Sequence, residues 1–484
     1  MIRVTRSTVI NAPIERVWSV LRDFNSHTAW HPVVAESDIE GDEPSDRVGC
    51  VRRFRLQDGA RIREQLLSLS DRDYRMTYCI LTADIPLERY VATVQLKRVT
   101  DGNGTFWHWQ STFRTPRGRE QELADMVGEG VYEAGFAGVA KLLAERGTAT
   151  MSRIATRTAT RGHAIVFDRA GGPEVLVARE VEVRAPQAGE VRVRHSAIGI
   201  NYLDVYIRRG WVPLAAPGEA LGVEAVGVVI DVGESVTHVM PGDRVAYLGL
   251  PTGSYSDIRT VSAAQVIPLP ANIDDEIAAA VFLKGLTAEY LLHRIHTMKP
   301  GEVVLVHAAA GGLGVIVASW ARALGATVVG TVSSEEKARL ARDHGCHHVV
   351  ITRDYSFADA VLQASGGHGA DLIVDGLGQQ AMSENLSALA MFGHWISLGQ
   401  TSGALAAVDP HALLAKSATF SAPVVLHYTS DSMRLSQMAD RLWSAIQTGA
   451  ARPHIGGRYA LAAAREAHRD LEARTTRGSL LLIP

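Results

Sequence analysis

The pattern of apolar and polar positions predicts a small α+β unit in the first third of the chain. A strand-like segment, residues 4–10, precedes residues 14–21, where apolar side chains recur at helical spacing. Alternating apolar positions over residues 48–113 predict antiparallel strands, and the pattern becomes helical from about residue 117 to residue 145. A strand, a short helix, a strand meander and a long helix are enough to enclose one core.

The rest of the chain has a different pattern. Residues 146–161, RGTATMSRIATRTATR, show neither period and predict a linker. Short strands and turns dominate from His163 to about Pro270, which predicts a barrel-like β domain. Strand-like and helix-like segments then alternate as far as GHWISLG, residues 393–399, and this alternation predicts a parallel sheet with helices on both faces.

A glycine cluster ends the first strand of that alternation, in VVLVHAAAGGLG, residues 303–314. Aligned on its last glycine, the stretch is an A-x-G-x-x-G version of the dinucleotide fingerprint between a predicted strand and a predicted helix. In this motif bare backbone lets a diphosphate approach the helix N-terminus, where free N–H groups favour negative charge. The pattern therefore predicts a Rossmann domain that binds its cofactor with Gly311, Gly312, Leu313 and Gly314.

Composition narrows the class of protein. With 484 residues, 46% hydrophobic and 21% charged, the chain is long enough for several globular domains. A formal charge of -3 gives no electrostatic reason to expect nucleic acid. Cys50, Cys79 and Cys346 are too few and too scattered for a disulfide framework or a four-cysteine zinc site. Without a signal-like segment or an apolar span, we expect a cytoplasmic protein with no membrane contact.

The segment VINAPIERVWSVLRDFNSHTAWHP, residues 9–32, resembles the START-like or polyketide cyclase-like (SRPBCC) family, and the resemblance covers residues 1–147. It implies a helix-grip fold, in which a curved sheet wraps a long helix around an apolar cavity. The family includes carriers of hydrophobic ligands, cyclases and dehydratases, so ligand binding, regulation, catalysis and a purely structural role all stay open.

Two interpretations are open for a group of aromatic and histidine residues in this part: Trp30, His31, Trp107, His108 and Trp109. They could line a substrate site. Aromatic side chains on a strand meander more often pack a core, and these histidines have no carboxylate or cysteine at the spacing of metal ligands. Core packing is therefore the stronger interpretation.

The segments GINYLDVYIRRG, FLKGLTAEYLL, HAAAGGLG and EARTTRGSLLLIP resemble the zinc-independent, zeta-crystallin-like quinone oxidoreductases of the medium-chain dehydrogenase/reductase superfamily. The resemblance covers residues 162–484. It implies a discontinuous catalytic domain, residues 162–283 and 416–484, with a nucleotide-binding domain, residues 284–415, inserted into it. Residues 148–161 then form the linker, the cofactor lies in the cleft between the two domains, and a homodimer is expected.

The resemblance also implies chemistry without a metal. Asn201 and Val223 stand where zinc-dependent relatives carry a cysteine and a histidine ligand. Without zinc, hydrogen bonds must polarise a carbonyl, which favours hydride transfer to a quinone or an α,β-unsaturated carbonyl. Asn201 and Tyr206 are the predicted catalytic residues, and Tyr206 acts either as a proton donor or carbonyl partner, or as a stacking wall. The turn GCHHVV, residues 345–350, is not expected to bind metal.

The predicted cofactor is NADPH. The strand after the glycine cluster ends in GTVSSEEK, residues 330–337, without the acidic residue that binds an NAD ribose. Lys337 matches the family lysine that faces the 2′-phosphate, and Arg353 could assist it. The adjacent Glu335 and Glu336, and Thr352 where the family often has tyrosine, argue the other way. Further cofactor contacts implied by the resemblance are Thr287, Ser333, Ser334, Gly399, Gln400, Gly478 and Ser479.

Two classes of function follow from these patterns. The first is an NADPH-dependent, zinc-free reductase of a small hydrophobic or aromatic quinone or enone, with an N-terminal module that binds a hydrophobic ligand or substrate. The second is a non-catalytic nucleotide-binding protein with a structural or RNA-binding role, as in some relatives of zeta-crystallin. Turnover of NADPH with a panel of quinones distinguishes the two.

Overall fold

The computed structural model of the chain describes residues 1–99, 104–153 and 159–484. These residues form two compact units, Met1–Arg157 and Thr158–Pro484. The residues 154–158 of the predicted linker lie outside the described residues.

The first unit is built on a seven-stranded antiparallel sheet. Its strands are β1 (Ile2–Ile10), β2 (Val34–Ile39), β3 (Val51–Leu56), β4 (Arg61–Ser70), β5 (Arg75–Ala83), β6 (Glu88–Arg98) and β7 (Thr105–Arg114). They are hydrogen-bonded in the order β1-β7-β6-β5-β4-β3-β2, so the first strand in the chain pairs with the seventh. Along β7 every second residue is buried, because successive side chains point to opposite faces of the sheet.

The helices of this unit are α1 (Ile14–Leu21), α2 (His27–Trp30), α3 (Glu120–Asp125) and α4 (Ala134–Arg153), with a π-helical segment, Met126–Glu133, between the last two. Helix α4 continues past residue 145, through residues 148–153, where the sequence predicted the start of the linker. That segment has no apolar face, but alanine, methionine and arginine have enough intrinsic helix propensity to extend a helix that has already begun.

Aromatic side chains from the sheet and the helix fill the interior of the first unit. Trp109 of β7 stacks on Tyr132 of the π-helical segment, with 4.4 Å between ring centroids. Trp107 meets Phe136 of α4 edge-on at 4.7 Å. Core packing is thus confirmed for Trp30, Trp107 and Trp109, which are all buried. The sheet-rich unit with helices against one face agrees with an α+β fold, and its assignment as a helix grip remains a prediction.

The second unit begins with short antiparallel strands. They are β8 (Thr160–Phe167), β9 (Leu176–Val183), β10 (Glu190–Ile200), β11 (Glu224–Val232), β12 (Arg244–Leu248), β13 (Ile258–Ser262) and β14 (Val266–Pro268). Helix α5 (Tyr202–Arg208) follows β10, and helix α6 (Asp275–Tyr290) follows β14. Every residue of α6 from Ala278 to Tyr290 is buried, and the predicted domain boundary at residue 284 falls inside this helix.

A six-stranded parallel sheet follows, as the alternating pattern predicted. Its strands are β15 (Val303–Val306), β16 (Thr327–Val332), β17 (His348–Ile351), β18 (Ala370–Asp375), β19 (Leu389–Ser397) and β20 (Thr419–Ser421), in the order β17-β16-β15-β18-β19-β20. Its helices are α7 (Gly312–Ala323), α8 (Glu335–Asp343), α9 (Ala358–Ala364), α10 (Met382–Ala388) and α11 (Pro410–Leu414). Strand β20 pairs with β19, so this sheet extends beyond the predicted boundary at residue 415.

The end of the chain returns to the β domain. It contains α12 (Val425–Tyr428), α13 (Ser432–Gln447), β21 (Ile455–Ala460), α14 (Ala464–Glu472) and β22 (Ser479–Ile483). Strand β22 pairs with β10, which continues the sheet order β14-β12-β11-β10-β22-β21. The second unit therefore combines a β domain and a Rossmann-like domain. In the described parts of the chain, no helix is long and apolar enough to cross a membrane.

Candidate active site

The glycine-rich turn lies between the buried strand β15 and helix α7, and its glycines differ in the space around them. A Cβ atom at Gly314 would lie 2.7 Å from the Cα atom of Ala309, so this glycine allows the helix to pack closely on the strand. A Cβ atom at Gly311 would have only Ala308 within 4 Å, with the carbonyl oxygen at 3.1 Å. The space in front of Gly311 is therefore open, as binding of a diphosphate requires.

The C-terminal strand holds this turn in place. The backbone N–H of Gly478 donates to the carbonyl oxygen of Ala310 at 2.8 Å, and Gly478 forms a parallel β-bridge with Gly311. The hydroxyl of Ser479 donates to the carbonyl oxygen of Ala280 in α6 at 2.7 Å. The end of the chain thus contacts the glycine-rich turn, where the sequence predicts the cofactor cleft.

Asn201 precedes helix α5 and is buried against the β domain. Its backbone N–H donates to the Asp204 carboxylate at 2.8 Å, and its side-chain amide donates to Oε1 of Glu224 at 2.7 Å. The other oxygen of Glu224 accepts from the backbone N–H of Leu283 at 2.7 Å. Val223 is fully buried in the hydrophobic core. Both positions that bind zinc in other dehydrogenases are thus occupied by side chains with structural contacts.

Tyr206 connects helix α5 to the loop after strand β19. Its hydroxyl oxygen accepts from the backbone N–H of Gln400 at 3.0 Å. A Cβ atom at Gly399 would lie 3.2 Å from the same oxygen. Burial raises the pKa of Tyr206, so the hydroxyl keeps its proton at neutral pH and can donate it in a hydrogen bond. Its ring stacks on Trp211, with 5.7 Å between centroids and 24° between planes.

A small cavity of about 80 Å³ lies beside this stacked pair, large enough for a few water molecules. Its lining combines side chains of helix α5 and its following turn with the loop after β19 and the segment before β22: Tyr202, Tyr206, Trp211, Gln400, Thr401 and Arg474. The cavity therefore lies in the cleft between the β domain and the Rossmann-like domain.

The predicted 2′-phosphate residues lie together at the end of strand β16. The hydroxyl of Ser334 accepts from the backbone N–H of Lys337 at 3.3 Å and caps helix α8. The Nε of Arg353 donates to the carbonyl oxygen of Ser333 at 3.1 Å. The Lys337 ammonium donates to the carbonyl oxygen of Arg474 at 2.5 Å. Burial and the neighbouring Arg474 and Arg477 lower the pKa of Lys337, which indicates a concentration of positive charge.

Thr287, a predicted cofactor contact, lies on the buried helix α6. Its hydroxyl donates to the carbonyl oxygen of Leu283 one turn earlier at 2.8 Å. Its orientation is therefore set by the helix that also carries Lys284, a residue that the sequence analysis did not select.

Three family models match the chain in turn. A model described as polyketide cyclase / dehydrase and lipid transport matches residues 1–144, an alcohol dehydrogenase GroES-like domain matches residues 187–271, and a zinc-binding dehydrogenase model matches residues 312–444.

A quinone oxidoreductase of Pseudomonas aeruginosa is 41% identical over 321 residues, which cover 66% of this chain and 99% of the relative. The chain belongs to the quinone oxidoreductase family. Its N-terminal unit is a polyketide cyclase-like domain fused to the oxidoreductase.

Other relatives share the oxidoreductase part. A 2-haloacrylate reductase of a Burkholderia species is 39% identical over 332 residues, covering 66% of this chain and 98% of the relative. The crystal structure of the Escherichia coli quinone oxidoreductase complexed with NADPH matches with a TM-score of 0.65 and 38% identity, covering 66% of this chain and all of that one. The fold predicted for residues 162–484 is thus confirmed as that of this family.

Within the quinone oxidoreductase part, the structure adds Arg474 and Arg477 to the predicted basic residues Lys337 and Arg353, and places the Tyr355 hydroxyl beside Arg474. Arg474 donates to the Tyr355 hydroxyl at 3.0 Å and also to the carbonyl oxygen of Thr401. Arg477 pairs with Glu336 at 2.6 Å. Glu335 pairs with Arg342 at 2.9 Å, so both glutamates that argued against a 2′-phosphate are engaged by arginines. In the sequence, Arg474 and Arg477 are visible only as the two arginines of EARTTRGS, residues 472–479, which lie far from Lys337 along the chain.

The strand end beneath the cofactor cleft is neutral. The hydroxyl of Thr331 in β16 is hydrogen-bonded to Nδ1 of His307 at 2.8 Å, and Nε2 of His307 is 2.7 Å from Oδ1 of Asn385. Burial lowers the pKa of His307, so the imidazole is neutral at pH 7. Strand β16 thus has no carboxylate, and the hydroxyl of Thr331 near its end is hydrogen-bonded to a neutral imidazole.

No group of three or more histidine, cysteine or acidic residues in the described segments is arranged to hold a metal ion. Cys346 is buried, and a Cβ atom at Gly330 would lie 2.6 Å from its sulfur. Nδ1 of His347 accepts from the backbone N–H of Val328 at 3.0 Å. These side chains fix the turn to the sheet, and zinc-independence remains a prediction from Asn201 and Val223.

Proposed function

We propose that this chain is a zinc-free, NADPH-dependent reductase that transfers hydride to a quinone or an α,β-unsaturated carbonyl, and that its N-terminal unit binds a hydrophobic ligand or substrate. Membership of the quinone oxidoreductase family makes the chain an NADPH-dependent oxidoreductase. The choice of acceptor and the role of the N-terminal unit are the new parts of the proposal.

The observation that carries the cofactor assignment is the basic cluster at the end of β16. Lys337, Arg353, Arg474 and Arg477 lie around a strand end that has no carboxylate. Arg477 is paired with Glu336, whereas Lys337, Arg353 and Arg474 donate to carbonyl or hydroxyl oxygens. A 2′-phosphate supplies a negative charge to these three side chains, which the ribose hydroxyls of NADH do not. The open space in front of Gly311, at the N-terminus of α7, suits the diphosphate of the same cofactor.

The aromatic side of the cleft supports a planar acceptor. Tyr206 and Trp211 present a stacked pair, and half of the Trp211 side chain is exposed. NADPH supplies a hydride when bound, and a carbonyl acceptor then gains negative charge on oxygen. The Tyr206 hydroxyl, held by Gln400 and protonated at neutral pH, can donate a hydrogen bond to that oxygen. Hydride addition to a quinone leaves a hydroquinone anion that takes its proton from water at oxygen, whereas the enolate formed from an enone must gain its proton at carbon.

Unpartnered polar atoms inside the N-terminal unit support ligand binding there. In the described part of this unit, Nδ1 of His27, Nδ1 of His31 and Nε1 of Trp107 are buried without a hydrogen-bond partner. Trp30 lies between them, 4.8 Å from His27 and 6.1 Å from Trp107 between ring centroids. Buried polar groups normally find partners, so a ring-bearing ligand with hydrogen-bonding groups would satisfy these atoms. Its entry requires the aromatic side chains to move apart.

The homodimer expected from the sequence is supported by the end of the parallel sheet. Strand β20 is the last strand in the sheet order. Just before this strand, the carbonyl oxygen of Lys416 accepts a hydrogen bond from the backbone N–H of Phe392. Phe392 is 77% exposed and Leu414 is 68% exposed. A second copy that covered this edge would bury both side chains.

The test is oxidation of NADPH with a panel of quinones and enones, with and without a chelator. We expect turnover that the chelator does not change and no stoichiometric zinc in the purified protein. Cofactor binding without turnover of any acceptor would favour the non-catalytic alternative. One bound zinc per chain would overturn the metal-free mechanism.

A further inference from the structure

Lys284 is a buried cation that the site described above does not use. It lies on helix α6, where only 8% of the residue is exposed. Among the residues that the structure describes, its ammonium has no hydrogen-bond partner. An ammonium has three N–H donors, and burial of a charge without hydrogen bonds is costly. A retained buried cation of this kind therefore points to a missing partner.

The nearest charged group is Glu224, but that carboxylate is already satisfied. Oε1 of Glu224 is 3.6 Å from the Lys284 ammonium, which is an ion pair without a hydrogen bond. The same oxygen accepts from the Asn201 amide at 2.7 Å, and Oε2 accepts from the backbone N–H of Leu283 at 2.7 Å. Glu224 thus holds the charge of Lys284 in place without occupying its three donors.

The side chain of Lys284 runs along the glycine-rich turn. A Cβ atom at Gly312 would lie 2.9 Å from both Cδ and Cε of Lys284, and 2.7 Å from the Ser479 hydroxyl. Gly312 is the first residue of the 12-residue helix α7, whose N-terminus favours an anion. The Lys284 side chain, which carries the unpartnered ammonium, therefore passes the N-terminus of α7.

We propose that Lys284 binds the diphosphate of the nicotinamide cofactor. The inference rests on the proposed function, because it uses the same cleft. Lys284 acts on the part of the cofactor that NADPH and NADH share, whereas Lys337 acts on the 2′-phosphate that only NADPH carries. One lysine thus contributes affinity and the other contributes selectivity. The close contact also gives a second reason for glycine at position 312, since any side chain there would displace Lys284.

The experiment measures dissociation constants of the full chain for NADPH, NADH, ADP and 2′-AMP, in wild type, Lys284→Met and Lys337→Met. We expect Lys284→Met to weaken NADPH, NADH and ADP alike, by about ten- to a hundredfold, and to leave 2′-AMP unchanged, because 2′-AMP has no diphosphate. Lys337→Met should weaken NADPH and 2′-AMP and spare NADH and ADP. Lys416→Met is the matched control, since Lys416 donates to three carbonyl oxygens away from the turn.

Dissociation constants of Lys284→Met within twofold of wild type for both NADPH and NADH overturn the proposal, as does a selective loss of NADPH alone. If the methionine variant does not fold, wild-type protein labelled at lysine Cε gives the answer by NMR. The signal of Lys284 is the one that disappears in the Lys284→Arg variant. ADP should shift this signal, and 2′-AMP should not. An unshifted signal at saturating ADP overturns the proposal. These binding readouts stand apart from turnover, so a protein that binds both cofactors through Lys284 but reduces no acceptor contradicts only the proposed function.

Discussion

Each unit of this protein buries an ion pair, and the two pairs differ in how fully they are hydrogen-bonded. In the N-terminal unit Arg52 donates to Oε2 of Glu64 through two nitrogens, at 2.9 and 2.5 Å, and to the carbonyl oxygen of Phe24 at 2.5 Å. In the oxidoreductase unit Lys284 lies 3.6 Å from Glu224 with no hydrogen bond. A saturated buried pair holds structure together, and an unsaturated one retains donors for a ligand.

The surroundings reinforce this contrast. The Arg52 guanidinium lies 3.9 Å from the centre of the Phe24 ring, so its face as well as its edge is covered. Lys284 instead borders the glycine-rich turn, the part of the second unit that is built to admit an anion. Burial alone therefore does not separate a structural charge from a functional one, whereas the count of satisfied donors does.

The largest expected effect comes from breaking the saturated pair. Arg52→Met should destabilise the N-terminal unit by about 3–5 kcal/mol, because Glu64 would remain buried without its partner. The double variant Arg52→Met with Glu64→Gln should recover part of that loss. Chemical denaturation followed by tryptophan fluorescence measures both. A loss below about 1 kcal/mol, as for a surface pair, would contradict the structural role.

Acid should destabilise the N-terminal unit through His31. Burial lowers the pKa of His31 from 6.5 to about 4, so the unfolded state takes up a proton at a pH where the folded state does not. Stability is thus complete above about pH 6.5 and falls towards pH 4, by about 3 kcal/mol if the whole shift is realised. His31→Gln should flatten this part of the stability profile.

The control for that experiment is His348→Gln, because His348 is exposed. Burial also lowers the pKa of His27 in the same unit, and that of His468 in the second unit to about 3, so a residual acid dependence is expected in every variant. A profile for His31→Gln that matches wild type would show that folding does not lower the pKa of His31.

Tyr206→Phe should lower enone reduction by about a hundredfold and quinone reduction much less, because the enolate formed from an enone depends on a hydrogen bond at its oxygen more than the aromatic hydroquinone anion does. Steady-state kinetics with one acceptor of each class makes the comparison. The aromatic ring, and with it the stacking on Trp211, is retained in this variant. Equal losses for both acceptors would make Tyr206 a stacking wall, which is the alternative that the sequence left open.

Lys337→Ala should raise the dissociation constant for NADPH by about ten- to a hundredfold and change that for NADH little, because a charge-assisted contact contributes about 1.5–3 kcal/mol. Fluorescence titration of both cofactors measures the ratio. Lys299→Ala, at an exposed lysine outside the cleft, is the control. Equal losses for the two cofactors would remove Lys337 from the 2′-phosphate site.

The smallest expected effect is that of removing the N-terminal unit. A chain that starts at Thr160 keeps strand β8 and all of the cofactor contacts described above. It should bind NADPH within about twofold of wild type and reduce a small quinone, losing efficiency only towards a bulky hydrophobic substrate. The isolated first unit should bind an apolar fluorescent probe. A folded truncated protein that does not bind NADPH would show that the two units share a site.

Most of the fold was accessible from the sequence, whereas the roles of the site residues stay predictions. Periodicity predicted the strand meander, the β domain and the parallel sheet because hydrophobic patterning follows local geometry. The glycine-rich turn between strand and helix was found for the same reason, since a fingerprint is a local feature, whereas the helix cap formed by Ser334 was seen only in the structure. The end of helix α4 was missed because residues 148–153 carry no apolar stripe, and strand β20 was missed because three residues are too few to show a period.

The sequence by itself determined the order of elements and the absence of an acidic residue in strand β16, and its resemblance to the family predicts that Asn201 and Val223 replace two zinc ligands. Only the tertiary structure decided which charges meet. Lys337 and Arg474 are separated by 137 positions, Arg474 and Tyr355 by 119. In the sequence, nothing distinguishes Lys284 from the other residues of helix α6. Only the structure shows that its ammonium has no hydrogen-bond partner among the described residues and that its side chain passes Gly312. Distances between such residues depend on how strands and helices pack, which no local pattern encodes.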